Sequence, residues 1–255
     1  MGVALIDSGL EMSAEFHGRV TAFYDFTEGR TRKTTPSDAF GHGTHVAGTI
    51  GGSGALSSGR EYRGLAPKVT FAVFKVLDGT GAGYTSDVIR AIDFAVDHRA
   101  ALGIHIINLS LGHPIYEPAA TDPLVQAVER ASREGLIVVA AAGNLGQNPT
   151  TGLPGYAGIT SPGNAPSAIT VGALRALDTV RRSDDRIPDY SSAGPTWFDA
   201  MFKPDLVAPG HNIVAVGAKN GALYQKYPQL RAPTRTTCAS AARAWPPASG
   251  AAWSR

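Results

Sequence analysis

A three-layer α/β fold around a mainly parallel central sheet is the architecture this sequence predicts, and three observations carry it. Short apolar runs alternate along the chain with segments of helical periodicity, the rhythm of strands joined by crossover helices. The runs are apolar enough to be buried, as strands covered on both faces are. The length of 255 residues allows one domain with a sizeable core. Thirty glycines and seventeen prolines add many turns.

The elements follow in order. Residues 3–9, Val-Ala-Leu-Ile-Asp-Ser-Gly, read as an apolar strand ending in the carboxylate of Asp7. Residues 41–49 place His42 at a glycine-flanked turn directly before a helix of small residues. Residues 69–77 form a buried-strand candidate. Thr85 or Ser86 can cap a helix running to about Ala101, with Val88, Ile89, Ile92 and Val96 on one face. Ile104–Leu109 is the next strand. Asp122 is an N-cap followed by Pro123 at the first helical position, and Leu124, Val125, Val128 and Ala131 form the apolar stripe. Gly135 stops that helix, and residues 136–142 form a strand that runs out into Gly143-Asn144. Residues 168–173 and Ile213–Val216 are further short strands. Before the first of these, residues 147–166 make a long Gly/Pro-rich loop of the kind that carries function. No internal repeat is present.

Composition excludes several classes. With 43% hydrophobic and 17% charged residues, the chain reads as a soluble globular protein. A net charge of +2, with no basic cluster interleaved with aromatics, predicts neither nucleic-acid nor membrane binding. No apolar run reaches membrane-spanning length. Cys238 is the only cysteine, so no internal disulfide and no cysteine-based metal site is expected. Residues 3–6 are too short for the apolar part of a signal peptide and lead straight into Asp7. The abrupt start at a strand predicts further chain upstream.

In a parallel sheet, functional groups gather beyond the carboxyl ends of the strands. Asp7 and Asn144 both hold such positions. Each candidate has a bland alternative: Asp7 as a turn cap, His42 as a satisfied turn histidine, Asn144 as a left-handed turn residue. Together they supply an orienting acid, a base and an amide donor, the parts of an acyl-transfer site.

These segments resemble the subtilisin-like serine proteases, the subtilase family. Residues 3–9 resemble the family's aspartate motif, and residues 41–49 its histidine motif, with His42 as base and His45 structural. Residues 140–144 resemble the oxyanion segment. Ser161-Pro162-Gly163-Asn164 and residues 203–210, Lys-Pro-Asp-Leu-Val-Ala-Pro-Gly, fit further signatures. The resemblance spans residues 2–225 and implies a subtilisin-like fold and a serine endopeptidase acting on polypeptides. It makes Asp7 the orienting acid, His42 the general base and Asn144 an oxyanion donor. It places an extended substrate between Gly81, Ala82, Gly83 and Ser110, Leu111, Gly112, with Ala141 and Gly143 also lining the site. It implies a cis Ser161–Pro162 bond. No cofactor is required for the chemistry. Structural calcium is frequent in the family, yet Asp25, Asp38, Asp184 and Asp185 show no ligand spacing and read as solvated charges. A monomer working outside the cell is expected.

The family's nucleophile lies in a Gly-Thr-Ser-Met-Ala segment opening a buried helix, and that segment is absent. Ser240 lacks both the preceding glycine and the following helix. Residues 1–234 therefore read as an incomplete catalytic domain, without the C-terminal part of the fold, and residues 235–255 as an aberrant tail. A shifted frame explains the tail. With the codons TCA-GCG-GCA-CGA-GCA-TGG-CCG-CCN for Ser240 to Pro247, reading from the last base of the first codon spells Ser-Gly-Thr-Ser-Met-Ala-Ala. Residues 237–240 can give Leu-Arg-Leu, a strand leading in. As written, the polypeptide is expected to be inactive and poorly folded. The alternative is a pseudoprotease that binds extended peptides without cleaving them. A nucleotide-binding reading of the glycines in residues 51–59 lacks the required spacing.

Overall fold

The computed structural model describes residues 1–148, 150–177, 179–230 and 239–242. In chain order the elements are β1 (Gly2–Asp7), β2 (Val20–Asp25), β3 (Arg32–Lys33), α1 (His42–Gly51) and β4 (Thr70–Lys75). Next come α2 (Thr85–Asp97), α3 (Arg99–Leu102), β5 (Ile104–Leu109), α4 (Pro123–Arg133) and β6 (Ile137–Ala141). The chain continues with β7 (Ile169–Leu174), β8 (Leu206–Pro209), β9 (Ile213–Val216), α5 (Ala222–Lys226) and β10 (Ala239–Ala242). The described residues fall into two compact units, residues 1–108 with 213–230 and 239–241, and residues 109–212 with 242.

In the first unit the strands lie in the order β3-β2-β4-β1-β5. β1 and β4 pair in parallel with Asp7 opposite Lys75, and β2 runs parallel to β4 with a register shift between Val20 and Ala22. β2 and β3 pair antiparallel. Every residue of β1 is buried, as a parallel strand covered on both faces requires. Val3 and Leu5 join Phe71, Val73 and Ala47 in a core on the α1 side. On the other face Phe74 meets Phe94 of α2 edge-on at 5.6 Å, with Tyr24 and Phe26 packed on the same ring. Two helices thus cover the two faces. β9 pairs with β10 in a small separate sheet.

In the second unit β6, β7 and β8 are consecutive parallel neighbours. α4 begins as its sequence directs: Asp122 Oδ1 accepts from the backbone N–H of Leu124 and Val125, and Pro123 occupies the first turn. Leu124, Val125, Val128 and Ala131 are all buried. β8 is tied to β7 by Lys203, whose buried ammonium donates to the Ala168 carbonyl and to Asp205 Oδ2.

Several local expectations are corrected. Tyr84 occupies the N-cap of α2, with no side-chain hydrogen bond, so neither Thr85 nor Ser86 caps it. The helix ends at Asp97. At His98 the backbone leaves helical geometry while the imidazole Nδ1 meets the Phe94 carbonyl and the ring stacks on Phe94. Residues 99–102 form a separate turn of helix. β2, β3 and β8 have no counterpart in the elements expected from periodicity. Asp38 is not a solvated charge but 5% exposed. Of the tail, Ser240 falls in β10. Residues 235–238, Cys238 included, and 243–255 lie outside the described residues. Among the described residues no helix is long and apolar enough to cross a membrane.

Candidate active site

Asp7 is the last residue of β1, fully buried at the carboxyl end of the strand. The chain leaves through Gly9, at φ +122°, where a Cβ would stand 2.0 Å from the Ser37 carbonyl oxygen. Only glycine passes there. Asp7 Oδ1 accepts the Ser8 N–H at 2.7 Å, which fixes the carboxylate plane.

His42 opens α1. The residue before it, Gly41, has φ +103°, and a Cβ there would meet the Tyr224 ring at 2.9 Å. Tyr224 is itself buried and donates its hydroxyl to the Gly41 carbonyl, so α5 holds the loop that presents the histidine. His42 Nδ1 lies 2.7 Å from Asp7 Oδ1 and 2.9 Å from Oδ2. Against a carboxylate acceptor, Nδ1 carries the proton, and the neutral ring keeps Nε2 as its basic nitrogen. Among the described residues Nε2 has no hydrogen-bond partner, and the side chain is 33% exposed. Burial alone would lower the imidazole pKa. The charge and hydrogen bond of Asp7, joined by the charge of Asp38, outweigh it and hold His42 above its ordinary value. His45, one turn on, is buried with Nε2 3.2 Å from the Ile213 carbonyl oxygen, a structural contact.

The second unit gathers the other candidates. Gly143 follows β6 with φ +110°, and Asn144 after it is exposed, its side chain unbonded among the described residues. Residues 110–113 lie against residues 160–161, because His113 and Ser161 exchange backbone hydrogen bonds of 2.9 Å. The Ser161–Pro162 bond is cis. Ser161 Oγ donates to the second carboxylate oxygen of Asp122. Thr160 was not among the sequence candidates, yet it touches both glycines. A Cβ on Gly112 would stand 2.8 Å from Thr160 Oγ1, and one on Gly143 would stand 2.8 Å from Thr160 Cγ2. Gly112 and Gly143 therefore back onto one threonine, with Ser110 and Leu111 just before the first glycine and Ala141 and Asn144 beside the second along the chain. Nothing local marks that threonine within its long loop.

Gly81, Ala82 and Gly83 lie in the first unit as a turn, not a strand. Ala82 accepts from the Asp78 N–H, and its own N–H reaches the Asp78 carboxylate, so Ala82 is engaged within the turn. Gly81 is seated on the Phe40 ring, where a Cβ would approach to 2.4 Å.

Among the described residues no three His, Cys, Asp or Glu side chains form a group that could hold a metal ion. Asp25 and Asp184 accept from nearby threonines. Asp38, equally, has all four of its acceptor positions filled by protein donors.

The chain matches the family model described as the Subtilase family over residues 1–252. It is 39% identical over 223 residues to the serine protease AprX of Bacillus subtilis, covering 86% of this chain and 48% of that protein. It is 35% identical over 227 residues to subtilisin E of the same organism, covering 86% and 50%. The chain spans about half the length of these curated relatives. Among solved structures, sphericase superposes with a TM-score of 0.71 at 32% identity, covering 86% of this chain and 68% of that one. A buried strand-end aspartate bonded to the first histidine of a small-residue helix, and these matches across the chain, lead to one conclusion: this chain belongs to the subtilase family.

Proposed function

We propose that the complete protein is a serine endopeptidase hydrolysing peptide bonds through an Asp-His-Ser relay, with Asp7 and His42 as its first two members. The observation that carries this is the bidentate approach of His42 Nδ1 to Asp7, at 2.7 and 2.9 Å. That contact holds the tautomer whose Nε2 can take a serine proton and return it to the leaving amine, and the carboxylate stabilises the imidazolium formed in between. Asn144, exposed and unbonded after Gly143, is the amide donor for the developing oxyanion. Removing such a donor in a subtilisin, a family relative, lowers the rate by about 10²–10³-fold. The substrate is a polypeptide whose backbone approaches the Gly112 and Gly143 wall. The setting is extracellular, as the family resemblance implies.

The nucleophile belongs to the shifted frame. The permitted codons of Ser240 to Pro247, which spell the family's serine segment one frame over, support this reading. Sequencing the encoding DNA tests this. The codons of Ser240 to Pro247 must permit Ser-Gly-Thr-Ser-Met-Ala-Ala one frame over, and codons that forbid it sink the proposal. The protein expressed in the restored frame should then label stoichiometrically with a fluorophosphonate and cleave casein. The chain as written should do neither.

A further inference from the structure

Asp38 has no role in the relay described above, and it touches neither His42 nor any position assigned to substrate. It is 5% exposed and accepts four hydrogen bonds, two on each oxygen. Oδ1 takes Ser8 Oγ at 2.9 Å and the Gly41 N–H at 2.7 Å. Oδ2 takes the Thr44 N–H at 2.9 Å and Thr44 Oγ1 at 2.6 Å. The network continues outward from both donors. Ser8 Oγ accepts the Gly43 N–H at 2.9 Å, and Thr44 Oγ1 accepts the Glu11 N–H at 2.9 Å.

The partners fall into two sets. Ser8 and Glu11 belong to the segment leaving β1, directly after Asp7. Gly41, Gly43 and Thr44 belong to the turn and first helical residues that carry His42. The N-cap of α1 is Gly41, which has no side chain to satisfy the first-turn N–H groups. Asp38 and Ser8 supply those acceptors instead. One carboxylate therefore fastens the frame of the acid to the frame of the base.

We propose that Asp38 is the positioning residue of the Asp7–His42 pair, setting their separation through Ser8 on one side and the start of α1 on the other. The proposal rests on the reading of Asp7 and His42 as acid and base. Only a carboxylate fits the position: both oxygens face donors, so an amide would set its own N–H against two of them. The charge of Asp38 also acts on the imidazole in the same direction as that of Asp7.

The test uses the full chain with ¹⁵N-labelled histidine. The proton on His42 Nδ1 should give a strongly downfield resonance that Asp7→Asn abolishes. In Asp38→Asn the same resonance should shift upfield or disappear into exchange, and the His42 titration midpoint should fall. A role confined to stability would lower the melting temperature and leave both signals in place, and that result overturns the proposal. If Asp38→Asn does not fold, Ser8→Ala decides: it removes the Ser8 bonds to Asp38 and Gly43 and keeps three of the four bonds to Asp38. An upfield shift supports the proposal and an unmoved resonance overturns it. A wild-type chain without the resonance, or one in which Asp7→Asn leaves it unchanged, refutes the pairing itself and the proposal with it. That failure is distinguishable from an unmoved resonance in the Asp38 variant alone.

Discussion

Replacing Gly43 by alanine sets two effects of opposite sign against each other. Gly43 is the second residue of α1, and on helix propensity alone the change should stabilise by about 1 kcal/mol. The tertiary setting forbids it. A Cβ at Gly43 would stand 2.2 Å from the Gly9 carbonyl oxygen, 3.1 Å from the Gly9 nitrogen and 3.2 Å from Asp7 Cβ. A relaxed C···O contact needs about 3.3 Å, so the start of α1 must move away from the β1 exit by about 1 Å. The two nearest of these atoms are main chain, and no rotamer relieves them. With main-chain atoms in the way, the overlap belongs at the upper end of the about 1–3 kcal/mol that overpacking costs, which leaves a net loss of about 2 kcal/mol after the helical gain. The same displacement, directed away from Asp7, would carry His42 Nδ1 from 2.7 Å to about 3.7 Å from Asp7 Oδ1, outside hydrogen-bonding distance. Urea unfolding followed by circular dichroism measures the stability, with Thr49→Ala, a partly exposed helical site, as the control that gains propensity without a clash. Gly43→Ala proving as stable as the parent, with the His42 Nδ1 proton signal intact, would refute the close-approach argument.

Three further outcomes follow from the same contacts. Because His42 is held above its ordinary value of about 6.5, its pairing with Asp7 stabilises the fold below that pH, and the contribution is lost as pH rises through the raised value. Asp7→Asn should therefore cost more stability near pH 5.5 than near pH 8.5 in urea titrations, and a penalty equal at both would refute it. Asp122→Ala removes two cap bonds on α4 and the acceptor of the fully buried Ser161 hydroxyl, and should lower unfolding free energy by about 2–4 kcal/mol, read from denaturation midpoints. Lys203→Met leaves the Ala168 carbonyl without its donor and should cost about 1–3 kcal/mol. Burial works to raise the Asp205 pKa, but hydrogen bonds from Lys203 and the Thr170 N–H, with the Lys203 charge, hold it low, so the variant should also lose less stability on acidification. A melting curve at about pH 3 and pH 6 checks this.

The chain shows how far local signals reach. Ile104–Leu109, Ile213–Val216 and the Asp122–Pro123 start of α4 were legible because apolar runs and cap chemistry act within a few residues. The end of α2 was not legible, because a contact between His98 and Phe94 interrupts a pattern that periodicity would continue. Tyr84 as an N-cap had no local signal either, since it makes no capping bond.

The sequence by itself determined the lineage and singled out Asp7 and His42, because glycine-flanked motifs at strand ends and helix starts are local and specific. It also raised the question of the absent serine. Tertiary structure alone decided what the neighbouring polar residues do. Asp38 reads in sequence as one more loop carboxylate, and becomes a four-bond acceptor only once Ser8, thirty residues away, is folded against it. Thr160 becomes the wall behind Gly112 and Gly143 in the same way. Burial and hydrogen-bond partnership belong to pairs of residues far apart in the chain, and no window along the sequence contains both members.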